Sequence, residues 1–428
     1  MLDRDLIRRN PEIVRAGISR KRLDAPVDEF LKVDSDWRAE RAALETKQAE
    51  LNAASKSIGA LMAQRKVEEA NAAKAAAKAL SEAIPAHAER ARELEAQLTE
   101  LELAFPNLPH ESVPDGEDES ANVTLRTWGE KPDNEAPPHW EIAERLGLLD
   151  LPRGAKVTGS GFPIYVGAGA RLQRALASLM LDIQIDRNGY AELYPPFIVN
   201  RASLIGTGNL PKFEEDLYKI DDDHYLIPTA EVPITNYYRD EILDGADLPL
   251  RYAGFTACFR REAGAAGKDT RGIQRIHQFD KVELVWFTTP DKSYEHLEVL
   301  TAHAESVLQA LGMHYRVIEI CAGDLGAKGA KQYDVELWSP GMSKYLEISS
   351  CSNFEAYQSR RANIRYRPEP GARPEFVHIL NGSGLALPRL YAALLETGLR
   401  PDGNIGIPDA LQPYMKCDVI GDPRATGN

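Results

Sequence analysis

The spacing of apolar residues changes character near residue 106. Before it, Phe30, Trp37, Leu44, Leu51 and Ile58 recur at intervals of seven. Further on, Leu80, Ile84, His87, Ala91, Leu94, Leu98, Leu101 and Phe105 alternate steps of four and three, with His87 the one polar member. Both rows read as apolar seams of a coiled coil. Two seams separated by the polar, Ala-rich stretch 62–79 predict an antiparallel helical hairpin. At ~1.5 Å per residue, helices of ~35 residues reach ~50 Å. Pro85 lies inside the second seam and lacks the amide donor, so a kink or a restart is expected there. Ahead of the hairpin, a short helix over Asp5–Asn10 stops and another starts at Pro11.

Residues 106–140 contain Pro106, Pro109, Pro114, Pro132, Pro137 and Pro138 and the acidic run 115–119, a linker composition. From 141 onward the pattern is mixed. Arg171–Arg187 has helical spacing, closed by Gly189. Ala191–Val199 reads as a strand interrupted by Pro195 and Pro196. Short strands are predicted at 251–260, 278–287, 315–320, 333–338, 344–348 and 362–366, with a helix over 294–311 and a buried helix over 384–395. Strands dominate with few βαβ alternations, so the expected class is α+β: an antiparallel sheet with flanking helices.

A length of 428 residues suggests two or three domains. The 51 Lys+Arg and 65 Asp+Glu give a net charge of -14, which argues against nucleic acid if charge is taken as one sum. Divided along the chain it reads differently. Residues 1–110 hold 18 basic and 19 acidic residues, and within them 51–80 holds five basic (Lys56, Arg65, Lys66, Lys74, Lys78) against two acidic. The tip of the predicted hairpin is therefore basic. Cys258, Cys321, Cys351 and Cys417 are far apart and form no CxxC. A disulfide framework or zinc ribbon is not indicated, and reduced thiols fit a cytoplasmic protein. The N-terminus lacks the apolar run of a signal peptide, and no stretch of 18 apolar residues occurs.

Gly264–Thr270 superficially resembles a phosphate-binding loop. It has Glu262 where the first Gly belongs and Asp269 where Ser or Thr belongs. Any nucleotide phosphates must then be held by side chains, for which the forked, permanently charged arginine is suited. Phe259-Arg260-Arg261-Glu262 ends one predicted strand, and a loop over 263–272 leads to the next. Alternation places Phe279, Lys281 and Glu283 on one strand face: an aromatic to stack a base, a cation for phosphate, a carboxylate for an amine. From spacing alone, a solvated face with cross-strand ion pairs is the better reading. Glu347-Ile348-Ser349-Ser350 at a strand end offers hard oxygen ligands for Mg²⁺, or equally a polar turn. Arg361, Asn363, Arg365 and Arg367 alternate as though along one strand face. Asn381–Arg389 runs from small residues into an apolar helix, either an anion site or a close helix–sheet contact. Pro228-Thr229-Ala230-Glu231 is a short polar break that alone means little.

Taken together and in this order, these stretches resemble class II aminoacyl-tRNA synthetases, and specifically the bacterial-type seryl-tRNA synthetases, over essentially the whole chain. The segment ending in Pro195-Pro196 resembles motif 1, the dimer element. Phe259 through Glu283 resembles motif 2, and Gly382 through Arg389 motif 3. Thr229-Ala230-Glu231, His277–Glu283, Glu347–Asn353 and Asn381–Gly384 are together specific for the seryl member. Arg261 and Leu387-Pro388 depart from the commoner residues at their positions.

The resemblance implies an N-terminal tRNA-binding domain with the long hairpin over 1–110, a linker over 111–140 and a catalytic domain over 141–428. It implies serine activation by ATP and transfer to tRNA(Ser), with tRNA(Sec) as a second acceptor, by a homodimer. Arg260 would hold the α-phosphate, Arg261 and Glu262 would lie on the ATP, Phe279 would stack on adenine, and Arg389 would hold the γ-phosphate. Glu347, Ile348, Ser349 and Ser350 would complete the ATP site, with Glu347 and Ser350 on Mg²⁺. Thr229, Ala230, Glu231, Glu283 and Ser383 would form the serine pocket, with Glu283 paired with the ammonium group. Arg271 would touch phosphate or tRNA. No zinc is expected, because no Cys/His ligand set is evident. Two other function classes compete: a relative that loads a carrier protein, disfavoured by the intact hairpin, and a catalytically dead coiled-coil protein, disfavoured by the intact Arg260, Glu283 and Arg389.

Overall fold

The computed structural model describes residues 1–133, 135–263 and 271–422. The chain divides into two units, one of residues 2–16 and 24–106, the other of residue 1, 17–23 and 107–428. The Gly264–Thr270 loop lies outside the described residues.

In the first unit, α1 (Arg4–Arg9) and the start of α2 (Pro11–Arg20) precede two long helices, α3 (Val27–Ala63) and α4 (Val67–Ala104). Only Gln64–Lys66 connects α3 to α4, and Arg65 reverses the chain with φ +60°. The pair is antiparallel. Phe30 packs edge-on against Phe105 at 5.6 Å, while His87 Nδ1 sits 2.5 Å from Glu40 Oε1. The polar interruption of the seam thus meets a carboxylate on the facing helix. The α1 helix is clamped by charge: Arg4 bonds Glu102 at 2.6 Å and Arg8 bonds Asp34 at 2.6 Å. Burial raises the Asp34 pKa, but hydrogen bonds from Arg8 and Arg38 outweigh it and hold the carboxyl below its ordinary value. α4 runs as one helix through Pro85, so the expected restart does not occur. Proline removes one helical hydrogen bond, and the packed seam on either side retains the rest.

The second unit is built on eight strands: β1 (Val123–Trp128), β2 (Ala191–Glu192), β3 (Leu250–Phe259), β4 (Gln278–Thr288), β5 (Tyr315–Glu319), β6 (Lys331–Ser339), β7 (Lys344–Asn353) and β8 (His378–Ala386). Their order is β1-β5-β6-β7-β8-β4-β3-β2, antiparallel throughout except for the short β2–β3 pair. Helices α5 (Ala168–Asp182), α6 (Ser293–Leu311) and α7 (Leu387–Thr397) supply the main core. Strand β4 shows how the two-residue period divides the faces. Val282, Leu284 and Trp286 pack with Leu300, Leu390 and Tyr391, whereas Val285 and Phe287 pack with Ala230, Ile234 and Ile379 in a second core. Gly382 is required on the helix side, since a Cβ there would stand 2.4 Å from Leu300.

Four expectations are corrected. The Pro-rich stretch 106–140 contains β1, a six-residue edge strand whose short Val123–Arg126 alternation is exposed on both faces and is flanked by prolines. Strand β7 continues through Asn353, with the polar Ser350 and Ser352 lining the cleft while Ser349, Cys351 and Asn353 do not. The helix expected from Gly384 begins at Leu387, and Asn381–Ala386 is strand. The arginine row is not one strand face: Arg361 lies in the last turn of the helix Tyr357–Ala362, Asn363 turns with φ +53°, and only Arg365–Arg367 is strand. Asparagine tolerates that left-handed conformation. The described residues contain no helix long and apolar enough to cross a membrane, and all four cysteines are free.

His303, on α6, hydrogen-bonds the Tyr190 hydroxyl at 3.0 Å. Burial, helped by the charge of Arg251, pushes its pKa down from 6.5 to about 4. The unfolded chain therefore binds a proton that the fold refuses, and stability is lost as pH falls from about 6.5 towards 4. Urea unfolding of His303→Gln should show a smaller loss between pH 7 and pH 4.5 than the wild type.

Candidate active site

On the sheet face opposite α6 lies a cleft of about 680 Å³. At one end, Pro228–Glu231 leads into the short helix Glu231–Thr235. Thr229 Oγ1 donates to Glu283 Oε2 at 2.7 Å, and Asn381 Nδ2 donates to Glu283 Oε1 at 2.8 Å. Lys281 Nζ forms an ion pair with the same carboxylate. Glu283 is wholly buried, beneath the cleft rather than on its wall. A buried carboxylate requires such partners, and here three chain segments supply them. Alternation puts Lys281 on the face of Glu283 as a cation for phosphate, whereas the structure pairs it with Glu283; Asn381 is absent from the expected pocket residues.

Glu231 is also buried. It accepts from Gln358 Nε2 at 2.5 Å and pairs with Lys328 Nζ at 3.2 Å. Nothing in the sequence signals Gln358 or Lys328, which come from segments about 100 residues away or more. Ala230 is buried in the second core and does not line the cleft. Ser383 does line it, and its carbonyl accepts from Ser349 Oγ at 2.6 Å, so Ser349 lies behind the wall.

Beside the 228–231 turn, the Arg260 guanidinium stands 5.2 Å from the Phe279 ring and donates to the Pro228 carbonyl at 3.2 Å. A cation over an aromatic face is favourable and fixes both groups. Glu262 takes φ +52° and bonds Arg275 at 3.2 Å. Arg261 is exposed and does not line the cleft; its amide donates to Asp216 O at 2.9 Å. Arg271 is exposed as well. Arg389, in the first turn of α7, donates to Glu347 O at 2.6 Å and to Gln274 O at 3.4 Å. Glu347 is half exposed, and Ile348 and Ser350 line the same wall.

Two β-bulges explain how these side chains share one wall. Val335 and Glu336 pair with Ser349 and Glu347, so Ile348 is an extra residue in β7. Val282 and Glu283 pair with Leu385 and Ser383, so Gly384 is an extra residue in β8. In a regular strand Glu347 and Ser350, three apart, would face opposite sides; the bulge brings both to the cleft. Likewise Ser383 faces the cleft while Leu385 returns to the helix core. Asp334, opposite Ser350, is buried, and burial together with the Glu347 charge raises its pKa well above the ordinary carboxylate range. Among the described residues, no three His, Cys, Asp or Glu side chains are grouped as a metal cage.

Lys281→Met leaves Glu283 buried without its cation and should destabilise the unit by about 3–5 kcal/mol. Adding Glu283→Gln should recover most of that loss. Denaturant unfolding of the four proteins of the cycle measures it.

Residues 1–109 match the family model "Seryl-tRNA synthetase N-terminal domain", and residues 212–398 match "tRNA synthetase class II core domain (G, H, P, S and T)". A serine--tRNA ligase of Caldanaerobacter subterraneus is 52% identical over 423 residues, covering 98% of this chain and 99% of that relative. The crystal structure of seryl-tRNA synthetase from Pyrococcus horikoshii complexed with ATP superposes with TM-score 0.92 at 37% identity, over 99% of this chain and 100% of that one. A cytoplasmic serine-tRNA ligase from Naegleria fowleri in complex with AMP gives 0.87 at 30% identity, over 99% of each. The bulged sheet, the cleft arginines and these matches over nearly the full length agree: the chain belongs to the seryl-tRNA synthetase family.

Proposed function

We propose that this protein is a serine--tRNA ligase. It activates L-serine with ATP, forming seryl-adenylate and pyrophosphate, and passes the seryl group to the 3′ end of tRNA(Ser). One observation carries the reading: a single cleft is lined by Thr229, Glu231 and Ser383 together with Arg260, Phe279 and Arg389. The first set suits a small zwitterion with a hydroxyl, the second a bent nucleotide triphosphate.

In the first step the serine carboxylate attacks the α-phosphorus and pyrophosphate leaves. No protein nucleophile is required. Arg260, fixed by Pro228 O and Phe279, neutralises charge at the α-phosphate. Phe279 stacks on adenine, with Glu262 on the adenine side. Arg389, anchored on Glu347 O and Gln274 O, holds the γ-phosphate. Glu231, which lines the cleft, receives the serine ammonium group in place of Glu283, which lies buried beneath the cleft and orients Thr229 and Asn381. A site that hydrogen-bonds the serine hydroxyl rejects alanine by ~10⁴–10⁵. Glu347 and Ser350 would hold Mg²⁺. One carboxylate and one hydroxyl on a shared wall fit an ion that takes most of its ligands from phosphate and water, and when bound it offsets phosphate charge.

The arm of residues 24–106 binds the tRNA. Support comes from its exposed basic tip, where Lys56, Arg65, Lys66, Lys74 and Lys78 all face solvent. The domain limits proposed are 1–110 for this part, a connecting stretch over 111–140 that contains β1, and 141–428 for the catalytic part. Dimerisation through the Pro195-Pro196 region is supported by exposed apolar groups there, with Tyr194 79% and Ile198 51% accessible.

ATP–pyrophosphate exchange screened over amino acids tests the activity: exchange with serine alone is expected, and none with any amino acid overturns it. Glu283→Ala should abolish exchange, and near-wild-type exchange in that variant refutes its role. Affinity for tRNA should fall with salt along a shallow slope, and neutralising Lys74 and Lys78 should weaken it. Unchanged binding in a filter or gel-shift assay contradicts the tip assignment.

A further inference from the structure

The segment 326–330 borders the amino-acid end of the cleft and carries Lys328, the cation paired with Glu231. It is a loop, yet every one of its main-chain carbonyls is taken. Lys21 Nζ donates to Gly326 O at 2.9 Å and to Gly329 O at 2.5 Å. The Asn107 amide donates to Ala327 O at 2.8 Å, and Asn107 Nδ2 donates to Lys328 O at 3.0 Å. The His110 amide donates to Ala330 O at 2.9 Å. The donors come from two short stretches of the same unit. Lys21 precedes the 24–106 unit by three residues, and Asn107 follows it directly.

We propose that Lys21 and Asn107 are positioning residues for the serine end of the cleft, fixing the backbone of 326–330 so that Lys328 is held against Glu231. The inference rests on the reading of Glu231 as part of the serine pocket.

Several features support it independently. Lys21 is fully buried, and among the described residues its head group meets carbonyl oxygens rather than a carboxylate. A lysine is costly to bury, and a surface loop of glycines does not need one for core packing. Burial pushes the amine down to about 7, partly offset by Glu355. A neutral amine keeps two N–H groups, enough for both carbonyls, so the brace survives either protonation state. Asn107 Nδ2 also donates to Phe354 O at 2.9 Å, and the Phe354 ring lies 5.6 Å from Lys328 Nζ. Asn107 therefore fixes both the root of the Lys328 side chain and the ring beside its tip. Gly326 and Gly329 flank Lys328 closely and, unbraced, leave its backbone unusually free. Pinning the peptides on both sides confines the lysine to a narrow range of positions over Glu231.

The test uses the full chain and the serine-dependent ATP–pyrophosphate exchange, which requires no tRNA. KM for serine and for ATP are measured for Lys21→Met, Asn107→Ala, Lys328→Met and Glu231→Gln, with melting temperatures alongside. A displacement of about 1 Å can cost up to ~100-fold, so each of the first three should raise KM for serine roughly 10-fold and leave KM for ATP within about twofold. If Glu231→Gln leaves KM for serine unchanged, the pocket reading itself fails. If Glu231→Gln raises it but Lys328→Met, or both Lys21→Met and Asn107→Ala, do not, the positioning role is overturned. An equal rise in both KM values also overturns it, because loosened folding would affect both substrates alike. Should Lys21→Met fail to fold, Asn107→Ala decides alone, since its main-chain donor remains.

Discussion

The buried charge of Glu283 is the constraint on which the cleft depends. Leaving a carboxylate without partners in a low-dielectric interior costs several kcal/mol. Thr229, Lys281 and Asn381 must therefore converge on it. Asn381 reaches it only if β8 pairs with β4 in the observed register, and Thr229 only if the 228–231 turn lies across β4. Once that turn is placed, Pro228 O is available to Arg260, and Arg260 meets Phe279. The Arg260–Phe279 pair is thus tied to the Glu283 cluster through one turn.

The second structural device is irregularity in the sheet. A regular antiparallel sheet sends residues an odd number apart to opposite faces. The extra residues Ile348 and Gly384 break that rule on neighbouring strands. Glu347 and Ser350 then lie on one wall, and Ser383 stays in the cleft while Leu385 enters the core. At Gly384 an added Cβ would stand 3.1 Å from Val282 and 3.3 Å from Leu284, pressing on the helix-side core.

Much of this was legible in the sequence, and the failures have physical causes. The coiled-coil seams were readable because a heptad repeats over many turns, and even His87 found a partner at the predicted contact surface. The hairpin carrying Arg260 and Phe279 was readable because β3 and β4 are long and adjacent in the chain. Strand β8 was missed because Asn381–Ala386 is rich in small residues and leads without a break into α7. Its side chains look helical or loop-like when the neighbouring strands are unknown. The arginine row failed because a left-handed Asn363 breaks a pattern that alternation alone cannot detect. Lys328 and Gln358 were invisible for a different reason: their partner, Glu231, is far away in sequence, and a contact of that kind leaves no local trace.

The place of β8 in the sheet has a consequence for the order in which the molecule is made. It is the last of the eight strands to be synthesised, yet it sits between β7 and β4. As the chain emerges, at roughly 5–20 residues per second, α3 can close on α4, β3 on β4 and β6 on β7, each through local contacts. Two open strand edges then wait for one inner strand, and unpaired edges are sites of mispairing. When β8 enters, it closes the sheet and delivers Asn381 and Ser383 together. A chain that stops before residue 378 would therefore hold two unjoined half-sheets and an incomplete cleft, and the newborn protein completes the cleft and covers its inner strand edges in the same event.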